Sequence, residues 1–448
     1  MWYIYTMNGK HICALALAFS LLLAACGSEG SIGLGNSANS SGVGDSGSDS
    51  ELGGLPSSDK GGDYVGSPDF GGLDGGGEYG DSEGGGNQNK PSSGQLTCGE
   101  WSDIKNYGFY LNLFTIINDP DIEESQRRNG FARFIDFGGL ETRHMLTVNV
   151  DCNGLPVGDA AVELYDSAQN RLFAAKTDVR GNAYLFPAYN LEGEHITVKV
   201  SSGAGETIES LVYGQGTVRI TLDSRKEAES LLDIMFVIDT TGSMGDELMY
   251  LKSEIADVID AISGNNPNYT IRLALLFYRD IGDDYVTKYF DFTGNIAQQQ
   301  TNLSRQSANG GGDFPEAVDK ALAEAVVGNW NSGCATRLVF HVCDAPPHDT
   351  QENQTVFYKA VQEAAQKGIR IIPVASSGID HATEYLLRQE ALMTGGTYIF
   401  LTDDSGIGNG HLQATVGEYT AEYLNACMVR VVNEYLTGEE KEPTAIGK

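Results

Sequence analysis

Residues 231–245 read LLDIMFVIDTTGSMG. An apolar run stops on Asp239 and passes directly into Thr240, Thr241, Gly242 and Ser243. A buried strand that ends this way sets a carboxylate and two hydroxyls at one chain reversal. All three are hard oxygen donors, a set that suits Mg²⁺, Ca²⁺ or Mn²⁺ better than zinc or copper. The stretch therefore predicts a central strand and the first loop of a divalent-cation site. A plainer reading stays open beside it: Ser243 as N-cap of a helix beginning near Met244, with Asp246 and Glu247 favourable in its first turn. The two are compatible, because a hydroxyl accepting from an amide keeps a lone pair for a metal.

From Ser230 onward strands and helices alternate. Strands are predicted over 231–238, 271–277, 286–292, 337–342, 369–374 and 397–401. Within 246–263, Leu248, Leu251, Ile255, Val258, Ile259 and Ile262 follow the helical period. Pro315 opens a helix running to Val327, and 355–367, 382–394 and 416–436 complete the set. Such alternation predicts an α/β fold, a doubly wound and mainly parallel sheet covered on both faces. The runs 271–277 and 286–292 are joined too tightly for a helical crossover, so they pair antiparallel and place one antiparallel edge strand.

Two more loops carry candidate ligands. One is Gly310-Gly311-Gly312-Asp313-Phe314-Pro315-Glu316, where Asp313 is also a candidate helix cap. The other is Cys343-Asp344-Ala345-Pro346-Pro347, closing a second buried strand. In open α/β sheets, ligands collect beyond the carboxyl ends of strands, where the winding direction reverses. If 231–238 and 337–342 are central neighbours, Asp239 and Asp344 both end at that crevice. Asp313 then arrives from the loop before Pro315.

DTTGSM, FYRD, GGGDFPEA and CDAPPH, in this order, resemble the von Willebrand factor A domain across about 230–436. The resemblance implies a metal-ion-dependent adhesion site: Asp239, Thr241 and Ser243 from the first loop, Asp344 from the third. Thr241 stands where the family usually has Ser and keeps the hydroxyl. In the second loop the usual Thr position is occupied by Asp313, as in bacterial members with a GGD-type loop. Asp239, Asp313 and Asp344 then set three negative charges against the ion's two. In adhesion members the ion keeps an open position for a ligand's carboxylate, and an over-neutralised ion attracts such a group less. The site is therefore expected either to have a structural or Ca²⁺-like role or to bind a less acidic ligand.

Other chemistries fit poorly. Gly242-Ser243 is not the nucleophile elbow, because Gly immediately precedes Ser. His341, His348, His381 and His411 lack zinc-type spacing, and His348 reads as a surface-loop residue. Arg279 and Asp280 read as a structural pair or as support behind the ligands. No general base is recognisable beside the candidate ligands, so binding without catalysis is expected.

The rest of the 448 residues sets the context, and a net charge of −32 excludes a nucleic-acid partner. After Lys10 and His11, an apolar core from Ile12 to Leu23 ends in small residues, as a secretory signal does. Leu23-Ala24-Ala25-Cys26 resembles the lipobox of bacterial lipoproteins, which implies a signal over 1–26, with Met7 a possible start, and lipidation at Cys26. Gly27 and Ser28 put no Asp after the Cys, so the outer membrane is expected. Residues 27–97, rich in Gly, Ser and Asp, cannot bury enough apolar area to order. Such a tether of about 70 residues spans roughly 45–50 Å.

Short strands over 98–226 predict a small β-sandwich; 146–222 resembles the carboxypeptidase-regulatory-like and Ig-like spacers of exported proteins. Exported cysteines are disulfide candidates, with Cys98–Cys152 and Cys334–Cys427 as the expected pairs and Cys343 free. The expected whole is a lipid-anchored protein of the bacterial cell envelope with a metal-binding head over 229–438 and a flexible tail over 439–448. The head would bind Mg²⁺, alternatively Ca²⁺ or Mn²⁺, and through it a protein or extracellular-matrix partner. The alternatives are an envelope scaffold with a structural metal, or a metal-dependent hydrolase.

Overall fold

Every residue of Leu231–Asp239 after Leu231 is buried. Leu232, Ile234, Phe236 and Ile238 enter one core, Met235 and Val237 the other. Burial on both faces is why this strand reads as an apolar run, broken only at Asp233, and not as an alternation. In this computed structural model the described residues are 92–117, 128, 130–137, 140–214, 216–408 and 410–447. All belong to one compact unit, Gly85–Lys448. The expected signal, Cys26 and the tether as far as residue 91 lie outside the described residues. No described helix is long and apolar enough to cross a membrane.

In chain order, β1 (Thr97–Trp101) precedes the short helix α1 (Tyr107–Asn112) and a 3₁₀ segment, Gly130–Phe137. Eight strands follow: β2 (Leu146–Cys152), β3 (Leu155–Pro156), β4 (Ala161–Tyr165), β5 (Arg171–Lys176), β6 (Asn182–Leu185), β7 (His195–Ser202), β8 (Gly205–Val212) and β9 (Thr217–Thr221). They form two four-stranded sheets, β5-β4-β7-β8 and β3-β2-β6 with β9 beside β2. The alternating burial of β2 and β7 marks the shared interior of these sheets.

The second half holds β10 (Leu231–Asp239), α2 (Gly245–Asn265), β11 (Thr270–Tyr278), β12 (Thr287–Thr293), α3 (Ile296–Ser304) and α4 (Val318–Val327). It continues with β13 (Thr336–Cys343), α5 (Gln351–Lys367), β14 (Ile369–Ala375), α6 (His381–Thr394), β15 (Tyr398–Leu401), β16 (Glu422–Tyr423) and α7 (Leu424–Thr437). These build an eight-stranded sheet in the order β12-β11-β10-β13-β14-β15-β1-β16. Strands β11, β10, β13, β14 and β15 run parallel, and β12 is antiparallel on β11 as its tight connection requires. Helices α2 and α7 cover one face, and α4, α5 and α6 the other.

Two features depart from the sequence reading. The first is a second antiparallel margin: β1 pairs with β15 and β16, so the segment expected to start the sandwich belongs to the head sheet. Glu254 of α2 fixes its entry by accepting from the amides of Gly94 (2.8 Å), Gln95 (2.8 Å) and Leu96 (3.1 Å). Farther along, Arg388 of α6, fully buried, donates to both carboxylate oxygens of Asp103, through Nε at 2.8 Å. Its guanidinium lies 4.8 Å from the centre of the Phe131 ring. The second departure is that the sandwich is docked on the head. Arg337, at the start of β13, donates to Asp159 at 2.8 Å, Lys176 pairs with the same carboxylate at 3.0 Å, and Arg370 donates to the Lys176 carbonyl at 2.9 Å.

The cysteine expectation is also corrected. Cys98, Cys152, Cys334, Cys343 and Cys427 are all free and buried. Cys98 and Cys152 lie in different cores, and Cys334 meets the Gly158 carbonyl while Cys427 lies in the core beneath α7, so neither expected pair is brought together. Cys98 instead lies against Cys427 in the core between the sheet and α7.

Breaking a buried ion pair by removing one partner strands a charge, at a typical cost of about 3–5 kcal/mol. Arg388→Ala is therefore expected to lower the stability of the full chain by that order in denaturant titration. Arg171→Ala, which removes an exposed pair with Glu163, should change it by less than about 1 kcal/mol.

Candidate metal centre

Strands β10 and β13 are parallel neighbours in register, Ile238 opposite Val342. Asp239, the last residue of β10, and Asp344, the residue after β13, therefore arrive close together at one edge of the sheet. Both are buried, at 0% and 4% exposure. Asp239 Oδ1 accepts from the Thr241 amide at 2.8 Å and from the Thr241 hydroxyl at 2.7 Å. The Thr241 and Ser243 hydroxyls lie 3.1 Å apart, and the Ser243 side chain hydrogen-bonds to Asp344. That leaves Asp239 Oδ2 and Asp344 Oδ1 buried with no hydrogen-bond partner. Unpaired carboxylate oxygens out of water are costly unless something positive meets them.

The loop is held from behind. Thr240 points away from the carboxylates, its hydroxyl meeting the Tyr278 carbonyl at 2.8 Å and the Tyr285 hydroxyl at 2.8 Å. Arg279, 5% exposed, donates to the carbonyls of Thr240 (3.1 Å) and Ser307 (3.0 Å) and stacks over Tyr285. It thus supports the first loop and does not pair with Asp280. Asp280 accepts from His348 at 2.7 Å, which turns that histidine toward the rim. The capping alternative finds no hydrogen bond: neither α2 nor α4 has a side-chain cap, and α4 begins only at Val318.

Of the residues singled out in sequence, Asp239, Thr241, Ser243 and Asp344 come together. Asp313 does not: it is exposed, and no described contact joins it to them. The acid that the second loop brings inward is Glu316, 3% exposed, with Oε2 buried and unpartnered. Its amide donates to the Pro346 carbonyl at 2.9 Å, fastening it to the loop that carries Asp344. A Cβ on Gly311 would lie 2.9 Å from Glu316 Oε1 and 3.3 Å from Thr241 Cβ, so carboxylate and hydroxyl residue border the same glycine. The signal for Glu316 was in the sequence only as one more acid in a loop already assigned one. Glu247 of α2 adds charge nearby, accepting from the Ser377 amide at 3.1 Å and facing His411 at 3.2 Å.

Electrostatics bears the strain of this gathering. Burial, then the Asp344 charge, pushes the Asp239 carboxyl well above its ordinary range. Burial also raises Asp344, against the Ser243 hydrogen bond. Glu316 is pushed up to about 9, by burial first and then by Asp239, Asp280, Asp344 and Asp283. Among the described residues, no group of three or more His, Cys, Asp or Glu side chains closes into a metal cage by itself. A site here needs the hydroxyls of Thr241 and Ser243, and the donor set of carboxylates and hydroxyls fits a hard divalent cation.

An open, mainly parallel α/β sheet with buried acids at its carboxyl edge defines the general class. Residues 233–403 match the family model described as the von Willebrand factor A domain, and the chain carries such a domain there. The alpha-protein kinase vwkA of Dictyostelium discoideum is 27% identical over 249 residues, 47% of this chain and 38% of that protein. A putative ariadne-like RING finger protein, R811, of Acanthamoeba polyphaga mimivirus is 28% identical over 136 residues, 30% of this chain and 13% of the relative. The chain thus spans well under half the length of these curated relatives. The solved structure of the conserved hypothetical protein BatB from Bacteroides thetaiotaomicron aligns with 46% of this chain and 98% of its own, at 12% identity and a TM-score of 0.33.

The raised carboxyls set the sign of a pH effect. A carboxyl whose folded value is raised binds its proton more tightly in the folded chain, so its contribution to stability is full below about 4 and lost as pH rises through the folded value. In chelator, the wild-type melting temperature should therefore fall between pH 5 and pH 8. In Asp344→Asn, which cannot ionise there and relieves Asp239, the fall should be smaller. Equal slopes for the two proteins would contradict the arrangement.

Proposed function

We propose that the von Willebrand factor A domain of this chain is a divalent-cation-dependent protein-binding module. The observation that carries the reading is the pair of buried, unpartnered carboxylate oxygens on Asp239 and Asp344, bordered by the hydroxyls of Thr241 and Ser243. A bound cation supplies a positive centre that can accept an oxygen donor from a partner. The chain's own residues do the rest. Asp239 and Asp344 provide charge, Thr241 and Ser243 provide neutral oxygens, and Arg279 with Thr240 keeps the first loop in place. Domains of this family mediate protein–protein interaction, which favours binding over hydrolysis as the use of such a centre. Attachment to a bacterial envelope through Cys26 belongs to the same proposal and rests on the sequence of residues 12–26.

A ligand at about a hundred times its Kd stabilises the folded state by about 2.7 kcal/mol. Thermal melts of the full chain should therefore rise with Mg²⁺, Ca²⁺ or Mn²⁺ and return with chelator. Asp239→Ala should abolish the response. Capture of envelope or neighbouring-cell proteins on the immobilised chain should be lost in chelator. A melt indifferent to all three ions would refute the metal reading, and chelator-resistant capture would point to a scaffold.

A further inference from the structure

We propose that Cys98 of β1 and Cys427 of α7 join in a disulfide when the chain folds in an oxidising compartment. The bond would be a covalent brace between the first strand of the large sheet in chain order and the last helix over it. No residue of the cation centre takes part.

Separate sets of contacts bring the two sulfurs together. The Leu424 amide donates to the Leu96 carbonyl at 2.9 Å, which seats the start of α7 on β1. Cys98 lies two residues beyond Leu96, and Cys427 lies one helical turn beyond Leu424. Each cysteine therefore shares a face with the anchored residue of its own element. All four side chains enter one core, where the two thiols meet. Cys98 also stands opposite Glu422 in the antiparallel ladder of β1 and β16. Arg430, the next turn of α7, grips that ladder from the helix: it pairs with Glu422, with Glu100 at 2.8 Å and with Glu434 at 3.0 Å. Its Nη2 donates to Cys427 Sγ at 3.7 Å. The other described cysteines are kept away from this pair. Cys152 and Cys343 belong to a separate core, and Cys334 donates to the Gly158 carbonyl at 3.6 Å.

Closure is a thiol–disulfide exchange with a disulfide-bearing oxidant, RSSR. One cysteine thiolate attacks a sulfur of RSSR and releases RS⁻. The second thiolate attacks the mixed disulfide, the Sγ–Sγ bond forms and another RS⁻ leaves. Two electrons pass from the cysteines to RSSR, and the protons of both thiols end on two RSH. Both side chains are 0% exposed in the folded chain, so the exchange belongs to folding, before α7 covers β1. The bond closes the chain from residue 98 to residue 427, and long closed loops gain most from a cross-link because the unfolded chain loses most freedom. The strand it secures is briefly held on that side, since β1 pairs with β16 through just Thr97 and Cys98.

The test is a thiol map of the full chain, produced in an oxidising and in a reducing host compartment. Free thiols are blocked with iodoacetamide in denaturant, and the peptides are mapped by mass spectrometry without reductant. In the folded, oxidised chain the peptides carrying Cys98 and Cys427 are expected as one linked species, lighter by the two hydrogens lost. Cys152, Cys334 and Cys343 should carry the blocking group in both samples. Blocked Cys98 and Cys427 in the folded, oxidised chain overturn the proposal, as does linkage of either to another cysteine. The oxidised wild type should also melt higher than the reduced one. In Cys98→Ala and in Cys427→Ala the two samples should melt together, and because each comparison stays within one variant, packing lost by the substitution cancels. Linkage that leaves the wild-type melting temperature unchanged overturns the role as a brace.

Discussion

Two like charges kept out of water at the ends of neighbouring strands are the constraint around which this domain is built. Parallel pairing of β10 with β13 leaves no choice about where Asp239 and Asp344 go. Once there, each retains an oxygen that the polypeptide does not satisfy. The surrounding construction reads as the means of holding that costly arrangement. Thr240 and Arg279 brace the first loop, the Glu316 amide ties the second to the third, and closely fitted glycines let the three approach. Local expense of this kind is tolerated where it serves a ligand.

The sandwich is best understood against that frame. It is inserted between the first and second strands of the large sheet in chain order, and it returns to the head through Asp159, Lys176, Arg337 and Arg370. These four residues meet at the starts of β13 and β14, whereas Asp344 follows the end of β13. The ion pairs that dock the sandwich thus lie at the opposite end of β13 from Asp344.

Much of this was legible in the residues. The two-sided burial of β10 and β13 shows as mostly apolar runs, interrupted at Asp233 and His341, and each run stops at its acid, so Asp239 and Asp344 could be placed without coordinates. The short link between β11 and β12 likewise forced an antiparallel pair. What could not be read depended on distant partners. The pentapeptide of β1 is brief and pairs with residues near Leu401, so no local pattern announces it. The cysteine pairs failed for the same reason, since proximity of Cys98 and Cys427 follows from that pairing. Asp313 sits in the loop position the family pattern marks. Pro315 suits the first position of a helix, but the helix starts at Val318. The two intervening residues, Glu316 and Ala317, form a link whose backbone is fastened to Pro346, which holds Glu316 inward while Asp313 stays exposed.

The clasp of Glu254 on Gly94, Gln95 and Leu96 has a mechanical meaning. Tension applied through the chain preceding Gly94 meets this carboxylate first and then the β1 ladder, before any of it can reach the sandwich. The inserted domain is therefore off the load path, and the sheet that carries Asp239 and Asp344 is directly in it. A pull on the N-terminal side is delivered to α2, whose first turn follows immediately on Thr241 and Ser243. Traction and ligand occupancy would then act on the same short length of polypeptide.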